Sequence, residues 1–385
     1  MKTSTALVAA SLALTGVASG VAFVRQNVVI AGEISHGDRH PGPDSARVEM
    51  FLGALHATDP MICEMVTDQL GNFWSSYGDE GVGQLIDASR NWEPVRDSLA
   101  SPVTDAGARR RLFRALGDDD TCVRRAAAKL LSHSVPEATA ALREALRASS
   151  PRVREAAAYA IGRADSPEFQ NDLERATRDS DPAVAAMATW ALGELELPET
   201  LGRLVELTRS SEPRIRRAAA WAIGEIDDPR GVPPLVPLLR DSDVGTRILA
   251  AEALGEIESV EAADPLAAAL KDADSRVRRA AAEALGQLDE LSSAPQELID
   301  AVSSSDLRLR RAAAEALGEI GDARAVSALG RAMSDADLEM RRAVIQALAN
   351  IEDDATVPYL LRAIKDADPE IRKIAAEALG ERKEH

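Results

Sequence analysis

Three aromatic residues, Tyr159, Trp190 and Trp221, follow one another at an interval of 31 residues in a chain that has only four Trp, three Tyr and five Phe. Large rings with a polar tip dominate the centres of protein interfaces, since they bury much area and keep a hydrogen-bonding handle. Glu155 stands four residues before Tyr159 and Arg217 four before Trp221. On a helix that spacing puts each charge one turn from its ring. These five residues form a candidate binding surface for a protein or peptide. The competing use of the rings is packing along their own helices or over a neighbour's alanine face.

Other chemistry is sparse. His36, Asp38 and His40 in "HGDRH" offer half of a metal site, but they sit in an aperiodic Gly/Pro stretch with no further ligand cluster, which favours a solvated linker. The remaining histidines are His56, His133 and His385, and the chain has no HExxH and no phosphate-cradling glycine loop. Glutamates recur at repeated positions without forming a distinct acid and base pair. We therefore expect no catalytic residue, no cofactor and no metal.

The net charge is −18, and aromatics make up 3% against a 45% hydrophobic fraction built from Ala, Leu, Val and Ile. An acidic surface repels a polyanion, so nucleic acid is excluded as a partner. Almost all of the positive charge is Arg, whose planar fork suits fixed ion pairs.

At the N-terminus, residues 1–24 carry one Lys and then an uncharged run with small residues at Ala18, Gly20 and Ala22, which reads as an export signal or an uncleaved membrane anchor. The body of the protein is then expected outside the cytoplasm, periplasmic or secreted, touching a membrane only through that segment. Residues 25–44 read as a flexible linker.

The elements that position the aromatics follow a fixed period. Gly162, Gly193, Gly224, Gly255, Gly286, Gly318, Ala349 and Gly380 are spaced by 31 residues, with one step of 32, and Ser132 extends the series backward. Nine copies fill 102–385. Each opens at a candidate helix cap: Asp120, Ser150, Asp181, Glu212, Asp243, Asp274, Asp306, Asp337 and Asp368. Glu is the poor member of that set. Pro at 151, 182, 213 and 369 fits the first helical position.

The closing Gly is expected to take the left-handed cap conformation. Within one copy Val277, Ala280, Ala281, Ala284 and Leu285 share a face whose small residues let neighbouring helices approach closely. A more variable helix precedes each of these. Residues 45–101 fit the period only loosely and read as about two degenerate repeats, with Ile62 and Gly71 in register with Ile215 and Gly224.

The stretches "DADSRVRRAAAEALGQLD", "SSDLRLRRAAAEALGEIGD" and "DADPEIRKIAAEALGE" resemble HEAT repeats of the phycobilisome-lyase-like class. The resemblance implies an all-α fold, a right-handed α-solenoid with the second helix of each pair on the concave side. It does not extend to the iron-binding hydroxylases, which use His-Glu motifs, or to the DNA glycosylases, whose groove is basic. The repeat architecture together with the missing chemistry points to an exported, non-enzymatic scaffold that holds a protein or peptide in the groove. A bilin lyase or chaperone-like activity, and an accessory role in extracytoplasmic signalling or beside a membrane protease, are the alternatives.

In that register Arg124, Arg154, Arg216, Arg247, Arg278, Arg310, Arg341 and Arg372 recur, interrupted by Ala185, and are expected to form a structural ladder with the cap Asp of the adjacent repeat. Exposed Arg/Glu or Lys/Glu pairs four residues apart are expected in the C-terminal copies. Cys63 and Cys122 are the only thiols. If 72–101 is a full repeat they stand two repeats apart, about 20 Å and too far to bond, whereas a fold-back of that stretch would let them pair.

Overall fold

The computed structural model describes residues 43–56, 102–135, 137–288 and 290–381. Among these, every regular element is helical. The chain divides into two compact units, one through Ala191 and one from Leu192 onward. Each is a stack of antiparallel helix pairs.

In the first unit, Ser45–Leu55 precedes the pairs Ala106–Ala115 with Thr121–Ser132 and Thr139–Ala145 with Pro151–Gly162, then Gln170–Ala176. Pro182–Gly193 carries the boundary between the units. The second unit continues with Leu201–Leu207 and Pro213–Glu225, Val232–Leu235 and Val244–Glu256, Ala263–Ala269 and Ser275–Gln287, Gln296–Ala301 and Leu307–Ile320, Val326–Ala332 and Leu338–Asn350, and Val357–Ala363 and Pro369–Glu381.

The second helix of each pair starts where its cap residue can accept an orphan N–H. Asp243 accepts from Thr246, Asp306 from Arg308 and Leu309, and Asp337 from Met340. Ser150 and Glu212 stand at the same place without a side-chain cap bond, and in both cases Pro follows, which supplies a preset φ instead. The alanine run is buried on every side: Ala280, Ala281, Ala282 and Ala284 all lie in the core. An inner second helix packs against its own first helix and against the repeats before and after it, so three consecutive small residues are used at once.

The periodic glycine does not take the left-handed conformation expected of it, even where it ends the helix, as in Pro151–Gly162 and Pro182–Gly193. Pro213–Glu225 and Val244–Glu256 run through Gly224 and Gly255 and end on right-handed Ile226 and Ile257. What the glycine provides is room. A Cβ on Gly224 would stand 2.9 Å from the Cβ of Ala253, one on Gly286 2.9 Å from the Cα of Ala316, and one on Gly318 2.7 Å from the Cα of Ala347.

The left-handed residue comes later in the turn, at Asp165, Glu196, Asp227, Glu258 and Glu290 with φ between 45 and 58°, and at Gly321 with φ 73°. Asp227 and Glu258 donate their N–H groups to the carbonyls of Gly224 and Gly255. The turn is thus set by hydrogen bonds while the glycine is reserved for packing.

The one long step, between Gly286 and Gly318, is absorbed before a shortened first helix, Gln296–Ala301. Asp322 accepts the Ala294 N–H at 2.8 Å, and Arg324 donates to the Ala294 carbonyl and to Ser293. Of the degenerate N-terminal region, Ser45–Leu55 is described: Asp44 caps it and Val48, Leu52 and Leu55 are buried. Arg111 of Ala106–Ala115 bonds Ser45 and Glu49 of that helix. Residues 1–42, with the export segment and His36, Asp38 and His40, lie outside the described residues, as do 57–101 with Cys63. Cys122 is buried on Thr121–Ser132.

Candidate binding face

The recurrent arginines staple successive repeats, but to a different acid from the one expected. Arg154 donates from Nε and Nη2 to Asp179 at 2.6 and 2.8 Å, Arg216 to Asp241 at 2.6 Å twice, and Arg247 to Asp272 at 2.8 and 3.0 Å. Arg310 and Arg341 pair with Asp335 and Asp366. Each of these acids lies two residues before the cap.

The same carboxylates also accept a backbone N–H from the cap residue, as Asp179 does from Asp181 and Asp241 from Asp243. Only Arg278 reaches a cap acid, Asp306, because Ser304 occupies the earlier position. Nη1 of each ladder arginine turns back to carbonyls of its own entry turn, as in Arg216 to Ser210 and Ser211. Arg124 and Arg372 make those turn contacts, to Asp118 and Asp119 and to Asp366 and Ala367.

The cap acids are taken by the next residue along: Arg217 meets Asp243 at 3.2 Å, Arg311 meets Asp337 at 2.6 Å and Arg342 meets Asp368 at 3.1 Å. An Arg-Arg pair on one repeat therefore grips an Asp-x-Asp on the next. The arginine hydrogen bonds hold Asp179 below the usual carboxylate range.

This second ladder draws one expected cation, Arg311, away from Glu315. Arg279 keeps Glu283 within 3.4 Å, while Arg311 is spent on Asp337. Burial, then like charge from Glu283, pushes the Glu252 and Glu315 carboxyls up, against the opposing pull of Arg279 and Arg311. Glu225 is raised by burial and by Glu196. Glu256 is pushed up to about 7 by loss of water and then by Glu225 and Glu252. The second unit thus carries an acidic face, of which the repeat register assigns Arg partners only to Glu283 and Glu315.

In the first unit, Tyr159 of Pro151–Gly162 and Trp190 of Pro182–Gly193 stack, with ring centroids 5.4 Å apart and planes at 17°. Trp190 also lies over Gly162, its Cζ3 2.8 Å from where a Cβ would be. Both rings are half-buried, as is Glu155. The pair presents a flat, partly open aromatic surface on two successive second helices. In the second unit, Trp221 lies over Gly193 in the same way and is half-buried, with Arg217 one turn before it. Lys129, at the register of Tyr159, is buried.

The acids at the ladder's working end, Asp179, Asp241, Asp272, Asp335 and Asp366, are not among the candidates that the repeat register singles out. Their signal is the Asp-x-Asp spacing in "DSD" and "DAD". Among the described residues no group of His, Cys, Asp or Glu is arranged to hold a metal ion. No described helix is long and apolar enough to cross a membrane.

The family described as HEAT repeats matches residues 109–179, 172–246, 232–300, 264–337 and 329–385. No curated protein matches the chain significantly. Among solved structures it is similar to importin β, at 14% identity and a TM-score of 0.56, covering 92% of this chain and 52% of that one. It is also similar to YibA of Escherichia coli, at 18% identity and a TM-score of 0.51, covering 73% of this chain and 100% of that one. The complex of CpcE and CpcF of phycocyanin lyase from Nostoc sp. PCC7120 aligns at 23% identity and a TM-score of 0.38, over 62% of this chain and 93% of that one.

Proposed function

From the premise that this chain belongs to the HEAT-repeat family, we propose that it is a non-enzymatic, exported scaffold that binds a protein or peptide on the exposed face of its second helices. The Tyr159–Trp190 stack is the observation that carries this reading. Two half-buried rings held parallel on adjacent repeats are already ordered, so a partner that covers them loses water without a large entropic cost. Glu155 adds a polar edge to this surface, and within the second unit Trp221 with Arg217 offers the same chemistry. The uncharged stretch in residues 1–24 supports a site of action outside the cytoplasm.

The test is capture from the extracytoplasmic fraction with the mature chain and with a Trp190→Ala/Trp221→Ala variant of matched thermal stability, with a photo-crosslinker at Glu155. A partner crosslinked at 155 and bound at least about 30-fold more weakly by the variant supports the reading, since two hot-spot rings contribute 2 kcal/mol or more. Identical capture by both proteins assigns the rings to packing alone.

A further inference from the structure

Glu155 is a half-buried carboxylate whose side chain, among the described residues, is neither hydrogen-bonded nor ion-paired. Its charge reverses the pattern of the array. At its register the other second helices carry Arg125, Arg217, Arg279, Arg311, Arg342 and Lys373, with neutral Ala186 and Ile248 completing the row. Ser275–Gln287 shows the usual arrangement, in which Arg279 meets Glu283 one turn on at 3.4 Å. On Pro151–Gly162 the first of these places holds an acid and the second holds Tyr159, so the acid stands without its cation.

The neighbouring side chains do not replace that cation. Arg152 and Arg154 of the same helix are engaged by Asp119 and Asp179. Arg125, on the preceding second helix, is exposed and makes no ion pair with a described acid. Pro182–Gly193, with the sequence PAVAAMATWALG, has no charged residue and leaves Ala183, Ala186 and Met187 half-buried beside Trp190.

A carboxylate that has lost part of its water without gaining a hydrogen bond is destabilised, and an incoming cation relieves it. Aromatic faces carry the negative part of the ring quadrupole and favour the same charge. We propose that Glu155, Tyr159 and Trp190 together take one basic side chain, a guanidinium or an ammonium, from a partner peptide whose flanking residues are apolar. The inference rests on the aromatic face being the binding surface and names what that face selects. Charge complementarity argues for the cation, and the uncharged surface of Pro182–Gly193 argues for its apolar neighbours.

The experiment is a titration of the full, isotope-labelled chain, followed at the Trp190 indole N–H, which a Trp190→Phe spectrum assigns. The probes are the peptide acetyl-Gly-Leu-Arg-Leu-Gly-amide and its twin with citrulline, an uncharged isostere of arginine. Salt at about 0.15 M screens the overall charge of −18. The arginine peptide should shift the Trp190 signal at millimolar concentration and bind about fivefold more tightly than the citrulline peptide. Glu155→Gln should bring the arginine peptide down to the citrulline affinity, whereas Glu144→Gln, at an exposed acid of Thr139–Ala145, should leave it unchanged.

Equal binding of the two peptides, an arginine affinity that survives Glu155→Gln, or a Trp190 signal that neither peptide moves would each overturn the proposal. Loss of the carboxylate leaves both rings in place, so use of the aromatic face and selection of a cation fail independently. The Trp190→Ala/Trp221→Ala capture tests the first, and the citrulline comparison tests the second.

Discussion

Arg216 and Asp241, 25 residues apart in sequence, are joined by two hydrogen bonds of 2.6 Å that tie one repeat to the entry turn of the next. The side chains are only 12% and 10% exposed. A bidentate pair in that setting is worth more than a surface ion pair, chiefly because removing one partner strands the other away from water.

Asp241→Asn should therefore cost about 1.5–3 kcal/mol, read as a lower urea midpoint, since it breaks the fork and leaves Arg216 facing a neutral amide. Arg152–Asp119 is the comparison, with side chains 55% and 95% exposed. Asp119→Asn should change stability by less than ~0.5 kcal/mol. Equal losses at the two sites would show that the ladder is ornamental.

The period, the helix pairs and most of the caps were legible in the sequence because each is a local rule repeated in register, and repetition averages out the noise of any one copy. Asp243, Asp306 and Glu212 behave as their types require. The partner of Arg216 was not legible, since two acids, Asp241 and Asp243, stand within reach and only the stacking distance selects between them. The role of Gly224 is ambiguous in sequence for a related reason: a glycine at a helix end signals either a left-handed cap or a close approach, and the approaching Ala253 lies 29 residues away. The Tyr159 and Trp190 register was visible, but ring contact depends on side-chain direction, which periodicity alone leaves open.

The packing role of the glycines can be separated from turn geometry by adding one methyl group. Gly286→Ala would place a Cβ 2.9 Å from the backbone of Ala316. Against a gain of up to ~1 kcal/mol in helix propensity, overpacking costs about 1–3 kcal/mol, so the net effect should be a loss. Gly202→Ala, where nothing lies within 4 Å, should be neutral or stabilising. Thermal melts of the two variants decide the matter: a stabilised Gly286→Ala chain would mean that the joint has slack.

The left-handed acids predict the opposite sign for a glycine. Glu258 has φ 55° and Asp227 φ 50°, a region that costs a residue with a Cβ about 1 kcal/mol relative to Gly. Glu258→Gly should raise stability by up to ~1 kcal/mol, and Gly321→Ala, at φ 73°, should lower it by about as much. Chemical denaturation of both variants is sufficient. A destabilised Glu258→Gly would mean that the carboxylate itself holds the turn.

Two sets of carboxyls give the protein opposing responses to pH. Asp179 is held low mainly by its hydrogen bonds from Arg154, so its contribution is present above the unfolded value near ~3.9 and is lost as pH falls through the folded one. That drives acid unfolding below about pH 4. Glu256 is raised to about 7 by burial, with Glu225 and Glu252 adding like charge.

A raised acid binds more protons folded than unfolded, so stability should decline as pH climbs from the unfolded ~4.3 to about 7 and level off beyond. The flanking second helices carry Ser275, Arg276, Arg278, Arg279, Glu283 and Gln287 on Ser275–Gln287, and Arg214, Arg216, Arg217 and Glu225 on Pro213–Glu225. Arg216 is engaged by Asp241, Arg217 by Asp243, Arg276 by Asp274, Arg278 by Asp306 and Arg279 by Glu283, and the charged groups that act on Glu256 are Glu225 and Glu252.

Glu256→Gln should therefore match the unaltered chain near pH 4, exceed it in urea midpoint at pH 8, and show a flatter profile between. Measuring both midpoints at half-unit steps from pH 4 to 8 checks this. Parallel profiles would place the Glu256 titration at the ordinary carboxylate range and dissolve the acidic face as an electrostatic unit.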